Sequence, residues 1–261
     1  MGSIQQLERG EAFEITELIL SEDQQIGGVH KKKGRYVTLG GYDVTEILVD
    51  REKWVAECAE ELGKFIPKGR ILVVGIGNRA NTPDSLGPRV VDNVFATKHL
   101  KSITDDEFMC GLREVVTLEA RTMGQSGVET FDIVNSVKKA VRPKAVIAID
   151  SLSTESADRL GTTIQISDAG FSPGSGSNNT RKSLNSETLG LPVIVVGVPM
   201  VLSLHNLVSS LTGSEPVPDT PNIIVTTRDI DRIVERSAKF LSCALNLALQ
   251  PLMTLEMAEH L

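Results

Sequence analysis

Short runs of consecutive apolar residues, separated by longer stretches with helical spacing, constrain the fold of this chain most strongly. The clearest runs lie at residues 71–74, 145–149 and 193–196. A strand that is apolar at every position is typical of a parallel sheet that is buried on both faces. Further strand patterns lie at residues 115–118, 163–166 and 223–225. The sequence therefore predicts a sheet built mainly from parallel strands.

The stretches between these runs carry apolar residues at the spacing of helices. They predict helices over residues 53–66, 83–97, 128–141 and 229–249. Strands that alternate with helices are typical of an α/β fold. The prediction is a single α/β domain over residues 1–261, with a mostly parallel sheet and helices on both faces. Residues 1–50 are polar, and apart from a strand-like pattern at 35–39 they are predicted to form an irregular N-terminal segment.

The net charge and the cysteines indicate which kinds of partner and which cellular compartment to expect. The formal net charge is -7, which argues against direct nucleic-acid binding, because that depends on clustered Lys and Arg. Cys58, Cys110 and Cys243 lie far apart without a CxxC pair, as expected of reduced thiols. The sequence shows no signal-peptide pattern at its start and no apolar stretch long enough to span a bilayer. A cytoplasmic location with no membrane partner is expected.

Two carboxylates follow the ends of predicted strands. Asp150 comes directly after the run at 145–149, and Asp84 follows the run at 71–74. Thr82 is predicted to cap a helix with Pro83 as its first residue, which places Asp84 in the first turn, where the helix dipole favours an ionised carboxylate. Because the carboxyl ends of parallel strands meet at one edge of a sheet, both side chains are expected to project into one crevice.

The residues alone leave the role of this pair open. Asp84 could be a simple helix-start carboxylate, and Asp150 could accept hydrogen bonds from the next loop. Alternatively, two carboxylates in one crevice divide acid and base roles, since like charges resist joint ionisation, or they share a divalent metal. Glu119 at the end of the strand at 115–118 is a third carboxylate in this layer, which we interpret as a solvated loop residue rather than a helper.

Other motifs carry little chemistry. The pattern Gly75-x-Gly77-x-x-Ala80 resembles a dinucleotide fingerprint only superficially, because Pro83 delays the helix and no acidic residue closes a second strand at the usual distance. The four histidines are isolated and form no HExxH motif. The sequence therefore predicts neither a cofactor nor a metal site.

The strand-end segments resemble the signatures of the spore germination protease family. These segments, in order, are VGIGN (74–78) with TPDSLGP (82–88), MGQSGVET (123–130), AIDSL (148–152), TTIQISD (162–168) with PGSG (173–176), and TLG (188–190) with GVP (197–199). Several signatures in the right order are more specific than any one motif. The resemblance covers residues 33–201 and resumes over 223–249.

This resemblance implies an endopeptidase with a fold similar to that of hydrogenase-maturation endopeptidases. Members of the family cleave small acid-soluble spore proteins during germination, in the spore core, as atypical acid-type proteases without a cofactor. Their two essential aspartates match Asp84 and Asp150, and we expect Asp84 to act as the general base. The family is made as a zymogen and forms tetramers. Departures such as Ala120-Arg121, where the family usually has Pro-Gly, leave both traits open here.

Three alternatives accompany this interpretation. The first is a metal-dependent maturation-type endopeptidase, in which the same carboxylates hold a metal ion. The second is a binding protein that kept the fold without catalysis. The third is a nucleotide-binding regulator built on the loop that contains Gly75 and Gly77.

Overall fold

The computed structural model describes residues 3–6, 10–26, 29–41, 51–100, 103, 107–172, 182–213 and 223–261. Within them the strands are β1 (Ser3–Gln6), β2 (Glu14–Leu20), β3 (Gln24–Ile26), β4 (Val29–Lys31), β5 (Gly34–Gly40), β6 (Ile71–Gly77), β7 (Val115–Arg121), β8 (Ala145–Thr154), β9 (Ile164–Ser167), β10 (Val193–Ser203) and β11 (Ile224–Val225). The α-helices are α1 (Arg51–Gly63), α2 (Leu86–Asp92), α3 (Glu107–Gly111), α4 (Met123–Ser126), α5 (Thr130–Val141), α6 (Ser186–Leu189), α7 (Leu204–Thr212), α8 (Ile230–Leu249) and α9 (Leu255–Glu259). Two 3₁₀ helices, Thr82–Asp84 and Ala157–Arg159, complete the described elements.

One large sheet organises these elements in the order β1-β2-β5-β9-β10-β8-β6-β7, with β11 paired to β10. The four strands β10, β8, β6 and β7 are parallel. The other pairings in this sheet are antiparallel, so the sheet is mixed around a parallel centre. The predicted α/β class is confirmed, and the parallel pairing that was expected for most of the sheet holds in its centre, where the apolar runs were continuous.

Helices cover both faces of the parallel centre. On one face, alternate strand residues such as Ile71, Val73 and Ile147 pack with α1, α2 and α8. On the other face, their neighbours such as Leu72 and Val146 pack with α5 and α6. Residues of both sets are almost fully buried. A strand that is covered on both sides gains from an apolar residue at every position, which accounts for the continuous runs.

The prediction of an irregular N-terminal segment over residues 1–50 is wrong for the part that the structure describes. Strands β2 and β5 pair with each other, and β5 adds to the main sheet by pairing with β9. The segment is anchored because Glu57 on α1 accepts hydrogen bonds from the amides of Ala12 and Phe13, at 2.9 and 2.8 Å. The Phe13 ring packs edge-on against Trp54, with the ring centroids 4.5 Å apart.

The predicted helix over residues 83–97 is interrupted and ends early. A 3₁₀ helix with Asn81, not Thr82, at its N-cap precedes α2, which ends at Asp92. The apolar spacing continues through Val94 and Phe95. The helix nevertheless stops, because the side-chain amide of Asn246 forms hydrogen bonds with the backbone at this point. Asn246 Oδ1 accepts from the Phe95 amide at 2.9 Å, and its Nδ2 donates to the Asn93 carbonyl at 2.8 Å.

Two loop-like segments of the sequence, over residues 170–179 and 213–221, fall largely outside the described residues. Among the helices that are described, none combines the length and the apolar character needed to cross a membrane.

Glycines allow α2 to lie directly on the central strands. A Cβ atom on Gly75 of β6 would lie 2.1 Å from the carbonyl oxygen of Gly87 on α2. A Cβ atom on Gly87 would lie 2.4 Å from the carbonyl oxygens of Ile76 and Ile149. Both distances are far below van der Waals contact, so neither position has room for a side chain. The closeness of this packing fixes the height of the segment around Asp84 above the sheet.

Replacing Gly87 by Ala should therefore destabilise the fold, although alanine favours helices. We expect the free energy of unfolding to fall by about 1–3 kcal/mol, because an atom is forced into a filled space. Urea denaturation measures this value. Gly63→Ala is the matched control, since Gly63 is also helical and a Cβ atom there meets nothing within 4 Å. The control should be neutral or stabilising, and equal losses in both variants would contradict the packing argument.

Candidate active site

The segment between β6 and α2 is a closed, hydrogen-bonded loop. The amide of Asn78 donates to the carbonyl of Asp84 at 2.8 Å, and the amide of Asp84 donates to the carbonyl of Asn81 at 2.8 Å. Gly77 opens the loop with φ at +140°, and a Cβ atom on it would lie 2.0 Å from the Asp84 carbonyl oxygen. Glycine is thus required here by conformation and by space.

Asp84 is half-buried at the end of the 3₁₀ helix Thr82–Asp84. This short helix contacts β8, β10 and α8. Asp84 therefore lies just beyond the carboxyl end of β6, in a short element that packs against β8, β10 and α8.

Asp150 lies within β8, level with Gly197 of the neighbouring strand β10. Its side chain is buried, with 6% of the residue exposed, and its Oδ1 accepts a hydrogen bond from the Ser151 amide at 2.8 Å. Burial raises the pKa of Asp150 well above the usual range of a carboxyl, and the negative charge of Asp84 raises it further. The amide hydrogen bond from Ser151 opposes this shift. The structure thus brings Asp84 and Asp150 together as an interacting pair.

Glu119 is not a solvated loop residue, as the sequence suggested. It lies in β7 and forms an ion pair with Arg79, whose Nη2 is 2.8 Å from Glu119 Oε2. Its charge is therefore committed to Arg79 rather than to the aspartate pair.

A side-chain contact that the sequence did not reveal holds the loop from the other side. Asn78 Oδ1 accepts hydrogen bonds from the Ala80 amide at 2.9 Å and from Gln125 Nε2 at 2.6 Å. Gln125 lies on α4, where it forms a capping box with Thr122. The Thr-x-x-Gln spacing is a visible capping signal, but nothing in it points to a contact with the loop after β6.

The geometry also bears on the cofactor alternatives. Gly75 and Gly77 are packed against the backbone of Gly87 and Asp84, so the chain itself fills the space next to these glycines that the phosphates of a dinucleotide occupy in a fingerprint loop. Among the residues that the structure describes, no three His, Cys, Asp or Glu side chains are grouped so that they could hold a metal ion.

An α/β protein with two interacting carboxyl groups, one just after the end of β6 and one buried within β8, has the make-up of an acid–base hydrolase. The sequence model of the germination protease family ("Peptidase_A25: Germination protease") matches residues 2–212. The chain belongs to the germination protease family and is an endopeptidase, a hydrolase that acts on peptide bonds.

Individual relatives agree with this assignment. A germination protease from Caldanaerobacter subterraneus is 35% identical over 281 residues, which cover 94% of this chain and 87% of the relative. One from Clostridium acetobutylicum is 32% identical and covers 96% and 88%. One from Priestia megaterium is 41% identical over 209 residues and covers 77% and 56%. Among solved structures, the hydrogenase maturation protease HycI from Thermococcus kodakarensis matches 71% of this chain and 98% of its own, with 20% identity and a TM-score of 0.38.

The raised pKa of Asp150 predicts how stability depends on pH. Because the folded-state pKa lies above the unfolded value of about 3.9, the wild type loses stability as the pH rises through this interval. Asp150→Asn has no such loss. We therefore expect the variant to be more stable than the wild type at about pH 7.5 and similar to it at about pH 3. Urea denaturation at both pH values measures the difference.

Asp158→Asn serves as the control, because Asp158 is exposed on the 3₁₀ helix Ala157–Arg159. Its free energy of unfolding should match the wild type within about 0.5 kcal/mol at either pH. A gain for Asp150→Asn that is equally large in acid would show that burial of a charge is not its cause.

Proposed function

We propose that this chain hydrolyses small acid-soluble spore proteins in the spore core, with Asp150 as the general acid and Asp84 as the general base. The observation that carries the proposal is the buried Asp150 carboxyl, whose pKa is raised by burial and by the charge of Asp84. A pair of carboxyl groups whose environments push their pKa values apart is the usual basis for dividing acid and base roles.

The two environments support this assignment of roles. Asp150 lies inside the sheet and is buried, which favours its protonated form. Since its Oδ1 already accepts the Ser151 amide, the proton that it donates belongs on Oδ2. Asp84 is half-buried on the rim of the crevice, where water can reach it, and this position suits the ionised base.

The reaction follows from these two states. Asp84 takes a proton from a water molecule, and the water oxygen attacks the carbonyl carbon of the peptide bond. The carbonyl becomes a tetrahedral centre. Asp150 then gives its proton to the amide nitrogen, so that the C–N bond breaks and an amine leaves. Transfer of the proton from Asp84 to Asp150, directly or through solvent, restores the starting state. The acid is essential because an amine anion is too basic to leave without a proton.

The choice of substrate is supported by the family. The relatives at 31–41% identity are named germination proteases, and the resemblance to this family implies small acid-soluble spore proteins as the substrate. A tetrameric assembly, also a family trait, stays a prediction for this chain, and light scattering on the purified protein checks it.

Digestion of a purified small acid-soluble spore protein tests the proposal. We expect the wild type to cut it at discrete sites, and Asp84→Asn and Asp150→Asn to be slower by about 10²- to 10⁴-fold, the usual contribution of a general acid or base. Mass spectrometry of the products gives both the cleavage sites and the rates. Cleavage should be unaffected by EDTA, because two carboxyl groups suffice for the proposed steps.

Asp158→Asn should cleave at the wild-type rate and controls for the loss of a carboxylate elsewhere on the chain. Full activity in either active-site variant would overturn the assigned roles. Loss of wild-type activity in EDTA, restored by a divalent metal, would favour a metal-dependent reaction instead.

A further inference from the structure

Arg79 joins two elements, β7 and α2, to the loop that carries Asp84. Its Nε lies 2.9 Å from both carboxylate oxygens of Glu119 on β7. Its Nη1 and Nη2 each lie 2.7 Å from an oxygen of Asp92 at the end of α2. Nη2 also donates to the carbonyl of Pro88 at 3.1 Å. One guanidinium thus engages two carboxylates in fork geometry, which fixes direction as well as distance.

Backbone hydrogen bonds connect Arg79 to Asp84. Arg79 directly follows Asn78, whose amide holds the Asp84 carbonyl and whose carbonyl accepts from the Asn81 amide at 3.0 Å. Asn81 in turn accepts from the Asp84 amide. Because the loop is closed on itself in this way, a shift of Arg79 relative to β7 and α2 displaces Asp84 as well.

Stability alone is a weak reason for this arrangement. The side chain of Arg79 is 44% exposed and that of Asp92 is 51% exposed, and ion pairs in contact with water add little to the free energy of folding. Two simultaneous fork contacts instead fix the geometry of the loop. A displacement of this loop would change the distance between the two interacting carboxyl groups.

We propose that Arg79 is a positioning residue, which clamps the loop of residues 78–84 to β7 and α2 and so holds Asp84 beside Asp150. This inference rests on the proposed function for its catalytic consequence. Its structural consequence, which is the distance between the two aspartates, is independent of that function. The substrate does not contact Arg79 in this role.

A second arginine at the other end of the same strands provides the matched control. Arg70 lies just before β6, where its Nε is 2.5 Å from Glu114 Oε2, just before β7. Its side chain is 29% exposed, so its loss should affect stability at least as much as loss of Arg79. Arg70 lies at the amino ends of the parallel strands, opposite to the aspartates. Its loss should therefore leave the geometry of the aspartates unchanged.

The experiment compares Arg79→Gln, Arg79→Lys and Arg70→Gln in the full chain. In Arg79→Gln we expect kcat on a small acid-soluble spore protein to fall by about 10- to 100-fold with little change in KM, since a small misplacement of a catalytic group costs this much. Arg79→Lys should recover part of the loss, because an ammonium pairs with one carboxylate but cannot fork to both. Arg70→Gln should keep the wild-type kcat.

A second readout does not require activity. Carboxyl ¹³C NMR follows the titration of Asp150 directly. Two causes raise the pKa of Asp150, namely burial and the charge of Asp84, and the second weakens as the two carboxyl groups move apart. Displacement of Asp84 in Arg79→Gln should therefore lower the pKa of Asp150 toward the value measured in Asp84→Asn, whereas Arg70→Gln should leave it at the wild-type value.

The two readouts separate the possible failures. An unchanged pKa of Asp150 in Arg79→Gln, with a kcat no lower than in Arg70→Gln, would overturn the positioning role. A wild type that cleaves nothing would contradict the proposed function, and a lowered pKa of Asp150 in Arg79→Gln would still support the clamp.

Discussion

The contact of Gly87 with the end of β6 and the middle of β8 determines where the rest of the site can be. The backbone of α2 lies so close to these strands that a single added carbon atom at Gly75 or Gly87 would overlap a carbonyl oxygen. Strand β6 therefore ends beneath a helix that starts almost on top of it. The chain that connects β6 to this helix has to turn within a few residues, and this tight turn places Asp84 over β8 next to Asp150.

This placement sets function against stability. A buried carboxyl beside a second carboxylate has a raised pKa and weakens the fold at neutral pH. A protein selected for stability alone would place an apolar residue at position 150, continuing the run that ends at Ile149. The loss is offset by the large apolar clusters on both faces of the sheet, in which the β8 residues before Asp150, from Ala145 to Ile149, are fully buried. Strong packing below the site thus permits an unfavourable group within it.

Much of the parallel centre could be predicted from the sequence, because a short, continuous apolar run is typical of a strand that is buried on both faces. The runs at 71–74, 145–149 and 193–196 begin β6, β8 and β10 where they were expected. Strand direction was less accessible. The pattern at 163–166 correctly predicts a strand, yet this strand, β9, pairs antiparallel with β10, since direction depends on the path of the chain between the strands.

The strand-like pattern at 35–39 is confirmed as β5, whereas β1 to β4 were missed for a related reason. Strand β2 contains Thr16 and Glu17 beside the buried Ile15, so its apolar residues form no continuous run from its start, and its pairing with the distant β9 through β5 leaves no local trace. The early end of α2 also leaves no local trace in the sequence. The backbone beyond this helix is hydrogen-bonded by the side chain of Asn246, which lies 151 and 153 positions away from its two partners. Position at a strand end identified Asp84 and Asp150, whereas the partners of Arg79 could only be seen in three dimensions.

The two aspartates differ through their surroundings and not through their chemistry. Asp150 belongs to a strand in the middle of the sheet, and the burial that comes with this position favours a proton on its carboxyl. Asp84 belongs to a short turn on the rim, held in place by the hydrogen bond from the Asn78 amide to its carbonyl and by the fork contacts of Arg79. A rigid sheet can bury one carboxyl without moving, but a turn needs external ties to keep the second carboxyl close. The proposed division of acid and base between identical side chains therefore depends on the proposed clamp around the turn as much as on the burial of the strand.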